Sequence, residues 1–86
     1  MQRGWVVSPD YRTLISTLSS IRKELKISQR ELARRVGKPP SFINKIELLE
    51  RRLDIQEFIV IAEALDCEPG TLLNILRDNL EKELSL

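Results

Sequence analysis

The sequence predicts an all-α fold, a compact domain of five helices. Apolar residues recur at helical spacing in five successive segments, and capping residues, glycine or proline separate one segment from the next. No segment shows the clear apolar–polar alternation of a strand. With 86 residues, of which 42% are hydrophobic, the chain is large enough for a modest core, so we expect residues 1–86 to form a single domain.

The first helix is predicted to follow an N-terminal arm of residues 1–8. Ser8 is suited to cap a helix, Pro9 to occupy its first position and Asp10 to face the positive end of its dipole. Leucine and isoleucine then recur at helical spacing, which indicates a helix that ends near residues 25–26.

The next two predicted helices are short and are separated by a tight turn. Ser28 and Glu31 fit a capping box at the start of the second helix, in which the hydroxyl and the carboxylate each satisfy a free backbone donor. Gly37 suits the left-handed backbone that follows a helix end. A third helix is expected over about residues 40–47, since proline is tolerated in a first turn.

Two further helices are predicted in the second half of the chain. Asp54 and Glu57 form another capping signal, and Pro69 marks the start of the last helix. The fourth helix is expected to bury one face, composed of Ile55, Phe58, Ile59, Ala62 and Leu65. The last helix is expected to continue through Leu84, so that residues 78–86 form a C-terminal helix extension.

Charge is unevenly distributed along the chain, although its formal net charge is only +1. Residues 1–52 contain twelve Lys and Arg against five Asp and Glu, a net +7. Residues 53–86 contain two Lys and Arg against eight Asp and Glu, a net −6. A basic first half suits a phosphate-bearing partner, and an acidic second half would be repelled by one.

The composition argues against an enzyme, a metal site and a bound cofactor. The chain has no histidine, the commonest general base and zinc ligand, and no glycine-rich phosphate loop. Its single cysteine, Cys67, cannot form an internal disulfide and is interpreted as a small buried hydrophobe, which favours a reducing cytoplasm. The sequence shows neither a signal peptide nor an apolar run long enough to span a membrane, so no membrane association is expected.

The second and third predicted helices, joined by the turn at Gly37, have the length of a helix-turn-helix unit. The third helix places Ser41, Asn44 and Lys45 on the side opposite its apolar residues. These hydrogen-bonding side chains are of the kind that reach base edges or phosphates in a major groove, which indicates a DNA-binding helix.

The stretch from Leu14 to about Leu73 resembles the lambda-repressor-like helix-turn-helix family of the Cro and phage-repressor type, also called the XRE family. Several segments match in order: Ile27-Ser28-Gln29-x-Glu31-Leu32-Ala33, Val36-Gly37, Ser41-Phe42-Ile43-x-Lys45-Ile46-Glu47, Glu50-Arg51-Arg52 and Phe58-x-x-Ile61-Ala62-x-Ala64-Leu65. The resemblance implies a sequence-specific regulator of transcription, a repressor or autoregulator, that reads double-stranded DNA with the helix at about residues 40–47.

The resemblance also implies roles for individual residues. Gln29 corresponds to a side chain that binds a backbone phosphate, and Arg51 and Arg52 correspond to a loop that grips the backbone. Exposed positions of the third helix are implied to contact base edges or flanking phosphates. The candidate DNA-binding residues are Gln29, Lys38, Pro40, Ser41, Asn44, Lys45, Arg51 and Arg52. Arg22 and Glu47 occupy the positions of a structural ion pair between the first and third helices.

Four positions depart from the family pattern, and one of them is Leu53, which replaces a frequent proline. Pro40 stands where glutamine is common and offers only an apolar contact, for example to a thymine methyl group, so base readout is expected to rest more on Asn44, Lys45 and DNA shape. Lys26 and Leu49 stand where glycine is common and a left-handed backbone is needed, which is costly without glycine. We therefore expect another conformation in the loop after the third helix.

The predicted partner is double-stranded DNA, in the form of a palindromic operator bound by a homodimer. Leu48 and Leu49, with Leu80 and Leu84 near the end of the chain, are candidate dimer contacts. An alternative is an antitoxin or other protein-interaction module whose acidic, leucine-rich second half covers a partner protein. A prophage regulator, a restriction–modification controller and an antitoxin are all compatible with the sequence.

Overall fold

Five α-helices account for most of the described chain. The structure is a computed structural model and describes residues 7–86, so that most of the predicted N-terminal arm, residues 1–6, lies outside the described part. The helices are α1 (Pro9–Glu24), α2 (Gln29–Arg35), α3 (Ser41–Glu47), α4 (Ile55–Ala64) and α5 (Pro69–Asp78). Residues 7–86 contain no strand and no helix long and apolar enough to cross a bilayer. The predicted all-α fold is confirmed.

Capping side chains begin α1 and α4 where the sequence indicates. The Ser8 hydroxyl accepts a hydrogen bond from an amide in the first turn of α1, and Pro9 takes the first helical position. At α4 the capping box is complete, because the Glu57 amide donates to Asp54 Oδ1 at 2.7 Å and the Asp54 amide donates to Glu57 Oε1 at 3.0 Å. Local sequence alone therefore sets where both helices begin.

The capping box predicted at α2 is only half formed. The Ser28 hydroxyl accepts from the Glu31 amide at 3.0 Å, as expected. The Glu31 carboxylate does not accept a hydrogen bond from the Ser28 backbone amide. It is bound instead by Arg34 and Arg35, at 2.6 and 2.8 Å, from the next turn of the helix. The hydrogen bond from Arg34, with that from Arg35, lowers the pKa of Glu31 to about 2.

The core receives buried side chains from all five helices. Its members are Ile15, Leu18, Leu32, Ala33, Ile43, Ile46, Leu49, Ile61, Ala62, Leu65, Leu72 and Leu76. Because Ile43 and Ile46 are buried three residues apart, one side of α3 is held against the core and its other side faces outward. This packing decides which side chains of α3 a partner can reach.

The predicted buried face of α4 is wrong at its beginning. Ile55 is 80% exposed and Ile59 is also exposed, whereas Ile61, Ala62 and Leu65 are buried. Ile55 occupies the first turn of α4, where no neighbouring helix covers it, so helical periodicity alone does not bury it.

The last helix ends at Asp78, and residues 79–86 are not helical, so the predicted helix extension over 78–86 is wrong. Side chains satisfy backbone carbonyls around this end: the Asn79 amide donates to the Ile75 carbonyl at 2.9 Å. The Arg77 guanidinium donates to two carbonyls beyond the helix, each at 2.8 Å. These bonds take the place of the helical ones that continuation would have required.

The loop after α3 keeps the left-handed backbone that glycine usually supplies. Leu49 and Lys26 both have a φ of 63°, close to the 73° of Gly37. The expectation of another loop conformation is therefore wrong. The Leu49 side chain is only 6% exposed, and burial of a leucine offsets the cost of about 1–2 kcal/mol that the left-handed conformation carries. Leu49 is thus a core residue and not a dimer contact.

Glycine at these two left-handed positions is expected to change stability in opposite directions. Lys26 is exposed, so Lys26→Gly should relieve strain and raise the free energy of unfolding by about 0.5–1 kcal/mol. Leu49→Gly removes a buried side chain and should lower it by about 2–4 kcal/mol. Urea denaturation of the two variants measures both effects, and changes of the same sign would contradict this account.

Candidate nucleic-acid interface

A five-residue connection, residues 36–40, joins α2 to α3. Gly37 turns the chain with its positive φ, and the amide of Lys38 donates to the Ala33 carbonyl at 2.9 Å to close the end of α2. Pro40 follows and stands as the N-terminal cap residue of α3 without a side-chain bond. The two helices and this turn form a helix-turn-helix unit.

The outer face of α3 carries polar residues. Ser41 and Lys45 are exposed, and so is Pro40 just before the helix. Asn44 is half-buried because it turns partly towards α2. Apart from Asn44, the side chains expected to reach a nucleic acid from α3 are therefore freely accessible.

A buried ion pair holds the end of α3 against α1. Arg22 Nε lies 2.7 Å from Glu47 Oε2, and Arg22 Nη2 lies 2.9 Å from Glu47 Oε1. The two side chains are only 8% and 14% exposed. The remaining guanidinium nitrogen, Nη1, donates to the Ile27 carbonyl at 2.7 Å, so the same arginine also holds the loop before α2.

The Glu47 carboxylate remains ionised despite its burial. Burial raises the pKa of this carboxyl, but the hydrogen bonds from Arg22 and Gln29 act in the other direction and outweigh it. The pKa of Glu47 therefore lies below its ordinary value of 4.5. An acceptor that is charged at neutral pH thus lies between α1, α2 and α3.

Gln29 lies inside the protein's own hydrogen-bond network. Its Nε2 donates to Glu47 Oε1 at 2.8 Å, and its Oε1 accepts from Asn44 Nδ2 at 3.2 Å. The hydroxyl of Ser19 also donates to Glu47 Oε1, at 3.1 Å. Sequence reasoning missed this network because the bonded partners are 15 or more residues apart and no local pattern relates them.

Phe42 contacts two cations with its ring, one from the segment before α3 and one from the segment after it. Its ring lies 5.6 Å from Lys38 Nζ, before the helix, and 4.8 Å from the guanidinium carbon of Arg51, after it. Arg51 is also held by Glu57, with contacts of 2.9 and 2.6 Å to the two carboxylate oxygens. The hydrogen bond from Arg51 lowers the pKa of Glu57 and keeps the pair charged. In the sequence, the one signal for these ring contacts is an aromatic residue, Phe42, with basic residues before and after it.

Arg52 turns away from its neighbour Arg51 and towards α1. Its guanidinium carbon lies 5.6 Å from the Tyr11 ring, while the Tyr11 hydroxyl accepts from the Leu53 amide at 3.1 Å. The two adjacent arginines therefore lie in different surroundings, one beside α3 and the other beside the start of α1.

Comparisons with known proteins identify relatives of this fold. A helix-turn-helix family model matches residues 18–72. No curated protein sequence matches the chain. An XRE-family like protein from Pseudomonas syringae pv. tomato str. DC3000 superposes with a TM-score of 0.74 at 39% identity, covering 80% of this chain and 84% of the other.

A controller of restriction and modification has the same fold. The wild-type restriction-modification controller protein C.Esp1396I superposes with a TM-score of 0.77 at 22% identity, covering 85% of this chain and 96% of the other. The tetramer of that controller in complex with its natural 35 base-pair operator gives the same TM-score, identity and coverage.

Removal of the Glu47 carboxylate is expected to destabilise the fold. Glu47→Ala leaves Arg22 buried without its partner and should lower the free energy of unfolding by about 3–5 kcal/mol. Glu47→Gln keeps the shape and loses the charge. Since the folded pKa of Glu47 is below 4.5, the advantage of the wild type over this variant is complete above about pH 4.5 and is lost as the pH falls through the folded pKa.

Urea denaturation over a pH series measures this advantage. Glu63→Gln changes an exposed carboxylate on α4 and is the matched control, for which little difference from the wild type is expected at any pH. If the difference in free energy of unfolding between the wild type and Glu47→Gln stayed constant well below pH 4.5, the role assigned to the charge would be contradicted.

Proposed function

This chain belongs to the XRE family of helix-turn-helix proteins, and we propose that it is a sequence-specific regulator of transcription that binds double-stranded DNA. The proposed reader is α3, which enters the major groove. The observation that carries the proposal is the orientation of α3: Ile43 and Ile46 are buried, while Ser41 and Lys45 face outward. We propose that it acts in the cytoplasm as a repressor or autoregulator and not as an enzyme.

Basic side chains from the segments before and after the proposed reading helix meet at one edge of it. Lys38 precedes α3 and Arg51 follows it, and Phe42 holds both at one edge of the unit. Lys45 lies on the helix itself. Cations at this edge and on the helix suit phosphates beside a major groove, where they would fix the register of the protein on the duplex.

The proposed function includes a homodimer on a palindromic operator. An open apolar groove of about 410 Å³ lies between α1, α4 and α5. Three exposed apolar side chains, Ile55, Ile59 and Leu73, border it. No residue of α2 or α3 is among those that line it, so a second copy bound there leaves both reading helices uncovered. The controller C.Esp1396I likewise meets its operator as an oligomer.

DNA binding is expected to depend strongly on salt, because cations of the basic first half displace counterions from the duplex. A dimer with about 6–10 phosphate contacts gives a log–log slope of affinity against salt of about −5 to −9. Fluorescence anisotropy on a duplex enriched from a random-sequence library measures it. Lys45→Ala should flatten the slope by about 1 per protomer, whereas Lys82→Ala, in the acidic half, should leave it unchanged. A slope near zero would contradict DNA as the partner.

The proposed dimer surface is tested with a matched pair of leucines. Leu73 in the groove and Leu48 outside it are 55% and 53% exposed. Leu73→Asp buries a charge in the proposed interface, so it should give a monomer at concentrations where the wild type and Leu48→Asp sediment as dimers. A monomeric wild type at high concentration would contradict the homodimer and favour a partner protein in the groove. Dissociation by Leu48→Asp alone would move the interface to the loop after α3.

A further inference from the structure

Gln29 connects the buried ion pair to the side-chain amide of the reading helix. We propose that Gln29 is a positioning residue that orients the Asn44 amide, and that Asn44, so oriented, reads an adenine in each half of the bound site. This inference rests on the proposed function, since it names which base that function selects and which residues select it.

The orientation of Gln29 follows from the chemistry of its partner. A carboxylate accepts hydrogen bonds and donates none, so Gln29 must present its amide nitrogen to Glu47, at the observed 2.8 Å. Arg22 keeps the carboxylate charged and in place with two hydrogen bonds of its own. The Gln29 carbonyl oxygen is then left at the other end of the amide, towards α3.

The orientation of Asn44 follows from that of Gln29. Because the Gln29 oxygen only accepts, Asn44 must turn its nitrogen towards it, and Nδ2 donates at 3.2 Å. The Asn44 amide keeps its second N–H and its oxygen for another partner. The Glu47 carboxylate at the end of α3 thus determines, through Gln29 on α2, which way round Asn44 on the same helix presents its donor and acceptor.

An oriented donor and acceptor on one amide complement adenine. In the major groove adenine offers the N7 acceptor and the N6 donor, whereas guanine offers two acceptors and would meet the Asn44 oxygen with its own O6. Asn44 is the only side-chain amide in α3, and Pro40 before it makes no hydrogen bond to a base edge through its side chain. Gln29 retains a second N–H, so a phosphate contact from the same residue is compatible with this role.

The test selects duplexes from a random-sequence library with the wild type, Gln29→Ala, Asn44→Ala and Gln56→Ala. The wild type should enrich adenine at one position of each half-site. Both Gln29→Ala and Asn44→Ala should reduce that preference by about tenfold or more and leave the other positions unchanged. Gln56→Ala is the control, an exposed glutamine in the first turn of α4. Persistence of the adenine preference in Gln29→Ala together with its loss in Asn44→Ala would overturn the positioning role.

The second measurement needs no DNA. In the free protein, Gln29→Ala should shift the side-chain N–H resonances of Asn44 and speed their exchange with water, and Gln56→Ala should not. Unchanged Asn44 resonances in Gln29→Ala would overturn the inference whatever the selection shows. If the resonances shift but the wild type enriches no duplex, the proposed function fails and adenine reading fails with it, while the positioning of Asn44 by Gln29 stands.

Discussion

Two hydrogen bonds between the Arg22 guanidinium and the Glu47 carboxylate hold the end of α3 against α1. Both groups are taken out of water, so the pair is stabilising only while every polar atom in it has a partner. The structure meets this condition, since the Ile27 carbonyl and the Gln29 amide occupy the remaining positions. The ion pair therefore fixes the end of α3 against α1, in addition to the packing of Ile43 and Ile46 in the core.

Only some of the basic residues in the first half of the chain are available to the proposed DNA-binding face, because others are paired with carboxylates. Arg34 and Arg35 share Glu31, and Arg22 is enclosed with Glu47. The charges of these arginines are thus paired within the protein, and Arg35 also joins α2 to α4 through the Ala64 carbonyl. Lys38, beside α3, is held differently, because the Phe42 ring orients its ammonium group without neutralising it. Arg51 contacts the same ring but is also paired with Glu57. A cation that is oriented but not ion-paired within residues 7–86, as Lys38 is, suits a phosphate contact.

Local sequence patterns predicted the structure correctly where the interacting groups are neighbours in the chain. The caps at Ser8 and Asp54, the left-handed turn at Gly37 and the inward face of α3 all depend on residues within a turn or two of one another. The expectation that a left-handed backbone at residue 49 requires glycine was wrong, because it considers only backbone strain. The energy of burying that leucine comes from helices that are distant in sequence.

The sequence by itself therefore determined the number of helices, where most of them begin, and which residues of α3 face outward. The tertiary structure decided that Ile55 remains exposed, that α5 ends at Asp78, and that Gln29 bonds to both Glu47 and Asn44. The physical reason is the distance along the chain over which each interaction acts. Capping and periodicity act within a helical turn, whereas burial and buried hydrogen bonds depend on which distant segments meet, and only the packed fold specifies that.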